Sequence, residues 1–426
     1  MLWILISGAL RKWAFPSYER AIFLAGDGLL FLVYVSYIAQ RRTRGKPVEG
    51  RSLYVWLAMF AAFAGLSPLL HFSNPITALV GLRYYLIFLP LVYLVPQLYD
   101  NMGQLRRDLY VYCMTAIPLG LLAAYQFTQP ATSVWNRYVA RDMDMLVAMV
   151  GEHPRVTATF SYIAGFTDYL VVVGLVTVAL YFWMEKRSQK ATMLVVLVLI
   201  IECMFMTGSR APVLAIAVAL PSISFLFFAS PRLAFRNALF LVLLAVLVVA
   251  GTEKFGHSAL DAFTKRAEES NQDAPERVIG YIMGPIMTLG DVDALGVGIG
   301  MTFQGAQLVE DISSHSFDEV AQDRVVMDLG IFGLMFEMVI TVLILWGFLK
   351  VALTTKYLLV RALAIILLTY HALFLIHIPV YDSTAMAYYC FTAGLYPLLA
   401  KLGHTGATGQ FSRQMLIEKR CNKSLL

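Results

Sequence analysis

The feature that most constrains this chain is the recurrence of apolar stretches too long for the core of a soluble domain. A helix of about 20 apolar residues crosses the hydrocarbon of a bilayer, and about eleven such runs can be marked along the sequence. They cover Ala21–Gln40, Ser52–Leu70, Ile76–Leu98, Asp108–Phe127, Tyr162–Met184, Ala191–Met206, Ala211–Ala229, Ala238–Gly251, Leu329–Phe348, Leu358–Ile378 and Thr384–Leu399. The strands of a membrane barrel are shorter and alternate in polarity, so a barrel is excluded. Charged residues make up only 14% of the 426 positions and apolar ones 59%, where a soluble globule carries about a quarter charged residues. That shortage of polar surface excludes a soluble multidomain protein. Disorder, a disulfide scaffold and nucleic-acid binding are excluded as the main body with it. The expected fold is all-α, a polytopic membrane helix bundle of about 11–12 spans forming a single membrane domain over residues 1–426. The opening MLWILISGAL lacks a basic n-region and a cleavage site, and reads as a short or incomplete first helix rather than a signal peptide.

The connections between runs carry a charge pattern. Arg41, Arg42, Arg44, Lys46 and Arg51 fall in the first, Arg106 and Arg107 in the third, and Lys186, Arg187 and Lys190 in the fifth. Arg232 and Arg236 fall in the seventh, Lys350 and Lys356 in the ninth. Placing every basic connection in the cytoplasm gives an alternating topology without exception. The formal charge of +5 is then a membrane signature, not a nucleic-acid one. The tail over 401–426, with Arg413, Lys419, Arg420 and Lys423, becomes cytoplasmic. Thr128–Ser161 and the longest polar stretch, 252–328, become extracytoplasmic loops. Loops of that length in a compact protein are functional or disordered, and the helix-like stretches within 252–328 favour function. Cys113, Cys203 and Cys390 lie within apolar runs and Cys421 in the tail, without metal-like spacing. They read as small buried hydrophobes, not as a disulfide or zinc set.

Ionisable residues in or beside apolar runs are costly and need a reason. Arg83 lies about two turns into the third run, Arg210 in the tight turn TGSRAPV, and Arg155 in HPRVTATFSYIAGF. Arg277 and Arg324 lie in the large loop. All five fall on the extracytoplasmic side, where positive charge is sparse. Snorkelling toward lipid headgroups explains any one of them. Guanidinium groups also present a planar fork suited to phosphate oxygens, so the set points to a lipid-linked diphosphate. Gly208 and Ser209 would let backbone approach it. The loop end SSHSFDEVAQDRVVMDLGIFG gathers His315, Glu319, Asp323 and Arg324 within a few helical turns. Either this is a solvated helix start with Ser316 as its cap, or it holds a general base next to a phosphate-binding arginine. Both Glu319 and His315 are candidates for that base. No HExxH, Walker loop or nucleophile elbow is present, so no metal, ATP-driven transport or serine nucleophile is expected.

Several segments resemble a known family. SGALRKWAFPS, RVTATFSYIAGFTDYL, TGSRAPVLAIA, LGVGIG and DEVAQDRVVMDLGIFGLMFE are similar, in this order, to segments of the O-antigen ligase and O-antigen polymerase superfamily of bacterial envelope proteins. The resemblance covers nearly the whole chain. It implies a membrane glycosyltransferase fold in the bacterial inner membrane. It implies glycan transfer from undecaprenyl diphosphate to an acceptor glycan or lipid, in exopolysaccharide or O-antigen biosynthesis, without metal, cofactor or nucleotide sugar. By the same resemblance Arg210 holds the diphosphate, with Arg155 and Arg277 helping. Ligases of the family carry a histidine where Glu319 stands here, whereas Glu319, Arg324, Asp328 and Gly330 resemble a polymerase-like subgroup. Polymerisation and ligation both stay open. The alternatives are a flippase for polyisoprenoid-linked glycans and a non-enzymatic assembly partner; a flippase needs a cationic cavity through the bundle and broken helix pairs.

Overall fold

The computed structural model describes residues 1–40, 50–71, 74–139, 147–150, 152–184, 186–227, 283–290, 292–303, 324–375 and 379–405, with isolated positions between 242 and 279. The described residues are mostly helical and almost without strand. The first helix, α1 (Leu2–Ala9), passes into a π-helical turn at Leu10–Ala14. α2 (Glu19–Gln40) and α3 (Arg51–Leu70) follow. The third apolar run is two helices, α4 (Pro75–Leu86) and α5 (Pro90–Leu98). Asn74 caps α4 by accepting from the Ile76 amide at 2.9 Å, and Pro90 cannot donate into a continuous helix, so the run breaks before it. The fourth run is also two, α6 (Met102–Met114) and α7 (Ala116–Thr128), with the break at Thr115 just ahead of Pro118. Its start differs from the expected Asp108. Asn101 accepts from the Gln104 amide at 3.0 Å, and that cap carries the helix back through Arg106 and Arg107.

α8 (Ile163–Trp183), α9 (Arg187–Thr207) and α10 (Arg210–Phe227) come next, and a two-stranded antiparallel ribbon, Met149–Val150 with His153–Pro154, precedes α8. The last described helices are α11 (Arg324–Thr354), α12 (Leu358–Ala372) and α13 (Ser383–Thr405). α13 takes the first five residues of the stretch expected to be tail. The remaining tail and most of 252–328 lie outside the described residues, as does nearly all of the expected span Ala238–Gly251. Among the described residues, 7 helical stretches, with α4–α5 and α6–α7 each taken as one, are long and apolar enough to cross a membrane. This is a multi-pass membrane protein.

Burial sorts the helices. α8 is buried at every position from Tyr169 to Leu180, as an apolar helix surrounded by others must be, and it packs on α6, α9, α10, α12 and α13. α3 buries a single seam, Leu53, Leu57, Phe60, Ala64 and Ser67, whose alternating spacing of four and three keeps one stripe toward a partner. That partner is α11: the Phe336 ring lies 5.5–5.9 Å from the rings of Trp56, Phe60 and Phe63. α2 stands at the edge and buries none of its described side chains. Near its start α11 is interrupted at Gly330, where φ is +63°. The segment 293–303 crosses there, its Val297 and Gly298 amides donating to Met327 O (2.7 Å) and Asp328 O (3.1 Å). A Cβ on Gly330 would sit 2.2 Å from Ala294 O, so only glycine allows main chain to lie on main chain here.

Candidate functional site

One large cavity, about 1440 Å³, opens among α1, α2, α4, α5, the turn segment before α8 and the turn before α13. Its two ends differ in chemistry. One end carries Arg11, Glu19, Arg20, Arg83, Arg324 and Asp382. The other is a furrow between Leu29, Leu30 and Val33 of α2 and Leu91, Leu94 and Leu98 of α5. It contains no charged side chain among its described residues.

Arg83 is clamped in the polar end. It pairs bidentately with Asp27 of α2, Nη2 lying 3.0 Å from Oδ1, and its guanidinium lies 4.2 Å from the Phe23 ring and 4.6 Å from that of Tyr84. Its Nη1 is buried without a partner. Arg11 donates from Nη1 to Ser161 Oγ at 3.0 Å, and its Nε is likewise buried without a partner. Burial lowers the Arg11 proton affinity, with Glu19 opposing. Arg324 lies 5.4 Å over the Tyr381 ring. The Tyr381 hydroxyl donates to Asp328, which also accepts from Tyr85 Oη and the Thr302 amide, each at 3.0 Å. Three donors hold this wholly buried carboxylate, and through it the Tyr381 wall of the cavity.

The turn segment before α8 is fixed by a buried polar knot. Lys12 Nζ donates to Thr157 Oγ1 at 2.9 Å and Ala158 O at 2.6 Å. From α7, Gln126 donates to Ala158 O at 3.1 Å and accepts from its amide at 2.8 Å. These bonds hold Ala158 at φ +46°, a region that residues with a Cβ seldom occupy. Lys12 is 1% exposed, and that burial pushes its ammonium down to about 7.

A second arginine corner lies apart from the cavity. Arg155 donates from Nε to Thr207 O at 2.6 Å and from Nη2 to Ser209 Oγ at 2.9 Å. It thereby satisfies a C-terminal carbonyl of α9, a favourable place for a cation. Gly208, φ +64°, closes that helix, and Arg210 opens α10 half-buried. Of the residues singled out in the sequence, Arg83 and Arg324 therefore share the cavity, while Arg155 and Arg210 share this corner. Arg277, His315 and Glu319 lie outside the described residues.

Sequence reasoning missed Arg11, Asp27 and Asp382. Asp27 carried a usable signal, a carboxylate inside an apolar run. Arg11 and Asp382 carried none beyond their charge. Cys113, Cys203 and Cys390 are buried and free, and no group of three or more metal-type ligands occurs among the described residues. His71 caps α3, and its Nε2 lies 3.1 Å from Gly296 O. No protein-family model and no curated protein matches this sequence.

Proposed function

We propose that the protein transfers a glycan from undecaprenyl diphosphate to an acceptor glycan or lipid, as a metal-independent polymerase or ligase of the O-antigen or exopolysaccharide type. The reading places it in the bacterial inner membrane with its C-terminus in the cytoplasm and the cavity's polar end on the outer side. The observation that carries it is the two-ended cavity. Two arginine donors buried without partners, Arg83 Nη1 and Arg11 Nε, suit an anionic head, and the furrow along α2 and α5 suits a long hydrocarbon tail. A lipid diphosphate is already a good leaving group. Arginines at the polar end neutralise the charge that develops on it, and a nearby base relieves the acceptor hydroxyl of its proton. The helix breaks at Pro90 and Thr115 satisfy half of what a flippase needs. The furrow's apolar walls, however, offer nothing to a polar glycan crossing the membrane.

The test is reconstitution in vesicles with a synthetic undecaprenyl-diphosphate-linked disaccharide. The wild-type protein should bind undecaprenyl diphosphate and transfer the disaccharide. Leu91→Trp, which fills the furrow, should weaken that binding at least tenfold. Protein that binds no undecaprenyl diphosphate, or a Leu91→Trp variant that binds it as wild type does, overturns the reading.

A further inference from the structure

The polar end of the cavity holds three carboxylates among the described residues, and they are not equivalent. Asp27 is engaged by Arg83. Glu19 lies within the field of Arg11. Asp382 has no cationic partner among the described residues. It stands in the turn ahead of α13, half-buried, on the cavity wall. Its Oδ1 accepts from the Thr384 and Ala385 amides at 2.9 and 3.0 Å, which fixes the side chain and leaves Oδ2 for other partners. The adjacent Ser383 Oγ is buried without a partner.

Asp382 meets a second carboxyl, Asp168 of α8, side chain to side chain. Two carboxyls side by side favour holding one proton between them, and Asp168 Oδ2 is buried without a hydrogen-bond partner. The two amides keep the negative charge on Asp382. Burial nevertheless raises its proton affinity above that of an ordinary carboxylate, with the amides and Asp168 opposing. A carboxylate so placed is a stronger base than an exposed one. Other titratable groups facing the pair are the phenols of Tyr84 on α4, Tyr370 on α12 and Tyr388 on α13. Tyr84 also lies against the Arg83 guanidinium, which puts base and cation in one mouth.

We infer that Asp382 takes the proton from the acceptor hydroxyl in the glycan transfer proposed above, a reading on which this inference rests. In that step the acceptor O–H bond breaks and its proton goes to Asp382 Oδ2. The acceptor oxygen bonds to the anomeric carbon, and the bond from that carbon to the diphosphate oxygen breaks. The electron pair leaves with the lipid diphosphate, whose charge rests against the arginines. Asp382 then releases the proton to water at the cavity mouth. Asp168 is a positioning residue that holds the base by a shared proton.

The experiment compares Asp382→Asn with wild type in the vesicle assay. The Asn side-chain oxygen can accept from the same two amides, so the turn is retained. The expected result is a transfer rate at least ~100-fold lower with undecaprenyl diphosphate bound as tightly as by wild type. Asp168→Leu supplies an independent readout. Removing a hydrogen-bond donor from the base raises its proton affinity, so the acid limb of the pH–rate profile should move to higher pH. Transfer by Asp382→Asn close to the wild-type rate, with Glu319→Gln or His315→Ala inactive, overturns the inference. An acid limb unmoved in Asp168→Leu also overturns it. Wild-type protein that binds undecaprenyl diphosphate but fails to transfer overturns the functional reading, and wild-type transfer with active Asp382→Asn overturns this inference alone.

Discussion

Helices α2 and α8 each carry one aspartate inside an apolar run, and they accommodate it in opposite ways. α2 lies at the rim and buries none of its described side chains, whereas α8 is buried at every position from Tyr169 to Leu180. At the rim Asp27 takes an arginine and remains an ion pair facing the cavity. In α8 the half-buried Asp168, just ahead of the fully buried stretch, lies against another carboxyl. An ion pair is affordable where the cavity's own polar end can solvate it in part. Where neither carboxyl has a cation beside it, the cheaper solution is a shared proton, because an unpaired buried charge costs several kcal/mol. The same residue type thus acts as a strut in one helix and as part of a proton-holding pair in the other.

The sharpest way to break this contrast is to remove the cation at the rim. Arg83→Ala leaves Asp27 unpaired, and should cost about 3 kcal/mol, the low end for breaking a buried pair. Thermal melting in detergent measures it, and Asp27→Asn added to Arg83→Ala should recover most of the loss. Equal melting of Arg83→Ala and wild type would mean the pair contributes nothing to the fold. The next test concerns crowding. A Cβ on Gly174 of α8 would meet Ile216 Cδ1 at 2.7 Å, so Gly174→Leu should destabilise by about 2 kcal/mol through overpacking, seen as a lowered melting midpoint.

Lys12, buried yet outside the spans, supplies a titration test. Its folded-state value of about 7 lies below the ordinary lysine value of about 10.4. Between those limits the unfolded chain binds the extra proton, so stability should rise with pH, by about 1.4 kcal/mol per unit in mid-window. Melting at pH 8 and pH 9 should show that rise in wild type and lose it in Lys12→Met. The smallest effect belongs to α2. Nothing lies within 4 Å of a Cβ built on Gly28, so Gly28→Ala should stabilise by roughly 0.5–1 kcal/mol. A destabilised Gly28→Ala would show that the rim helix is packed after all.

α2 and α8 are apolar runs of nearly equal hydropathy, and nothing in their composition ranks them by depth. Lipid tails are as apolar as leucine, so hydropathy does not separate a lipid-facing helix from a central one. The breaks at Pro90 and Thr115 were hidden for a related reason: a run stays apolar whether or not its backbone is continuous. For the site, the sequence showed that arginines cluster toward one side, but one side is not one place. Arg83 reaches the cavity because Asp27, far away in the chain, holds it there. Arg155 is drawn instead to the Thr207 carbonyl at a helix end. Such partners are chosen by tertiary approach, and neither spacing nor composition encodes them.

The crossing of segment 293–303 over the start of α11 has a kinetic consequence. It is fastened by the amides of Val297 and Gly298 on the carbonyls of Met327 and Asp328. At Gly330 there is no side chain that could swing aside by degrees. The amide protons of Val297 and Gly298 can exchange with solvent only when the crossing lifts. Their protection from exchange measures how firmly this crossing holds the main chain beside Asp328, readable without any substrate.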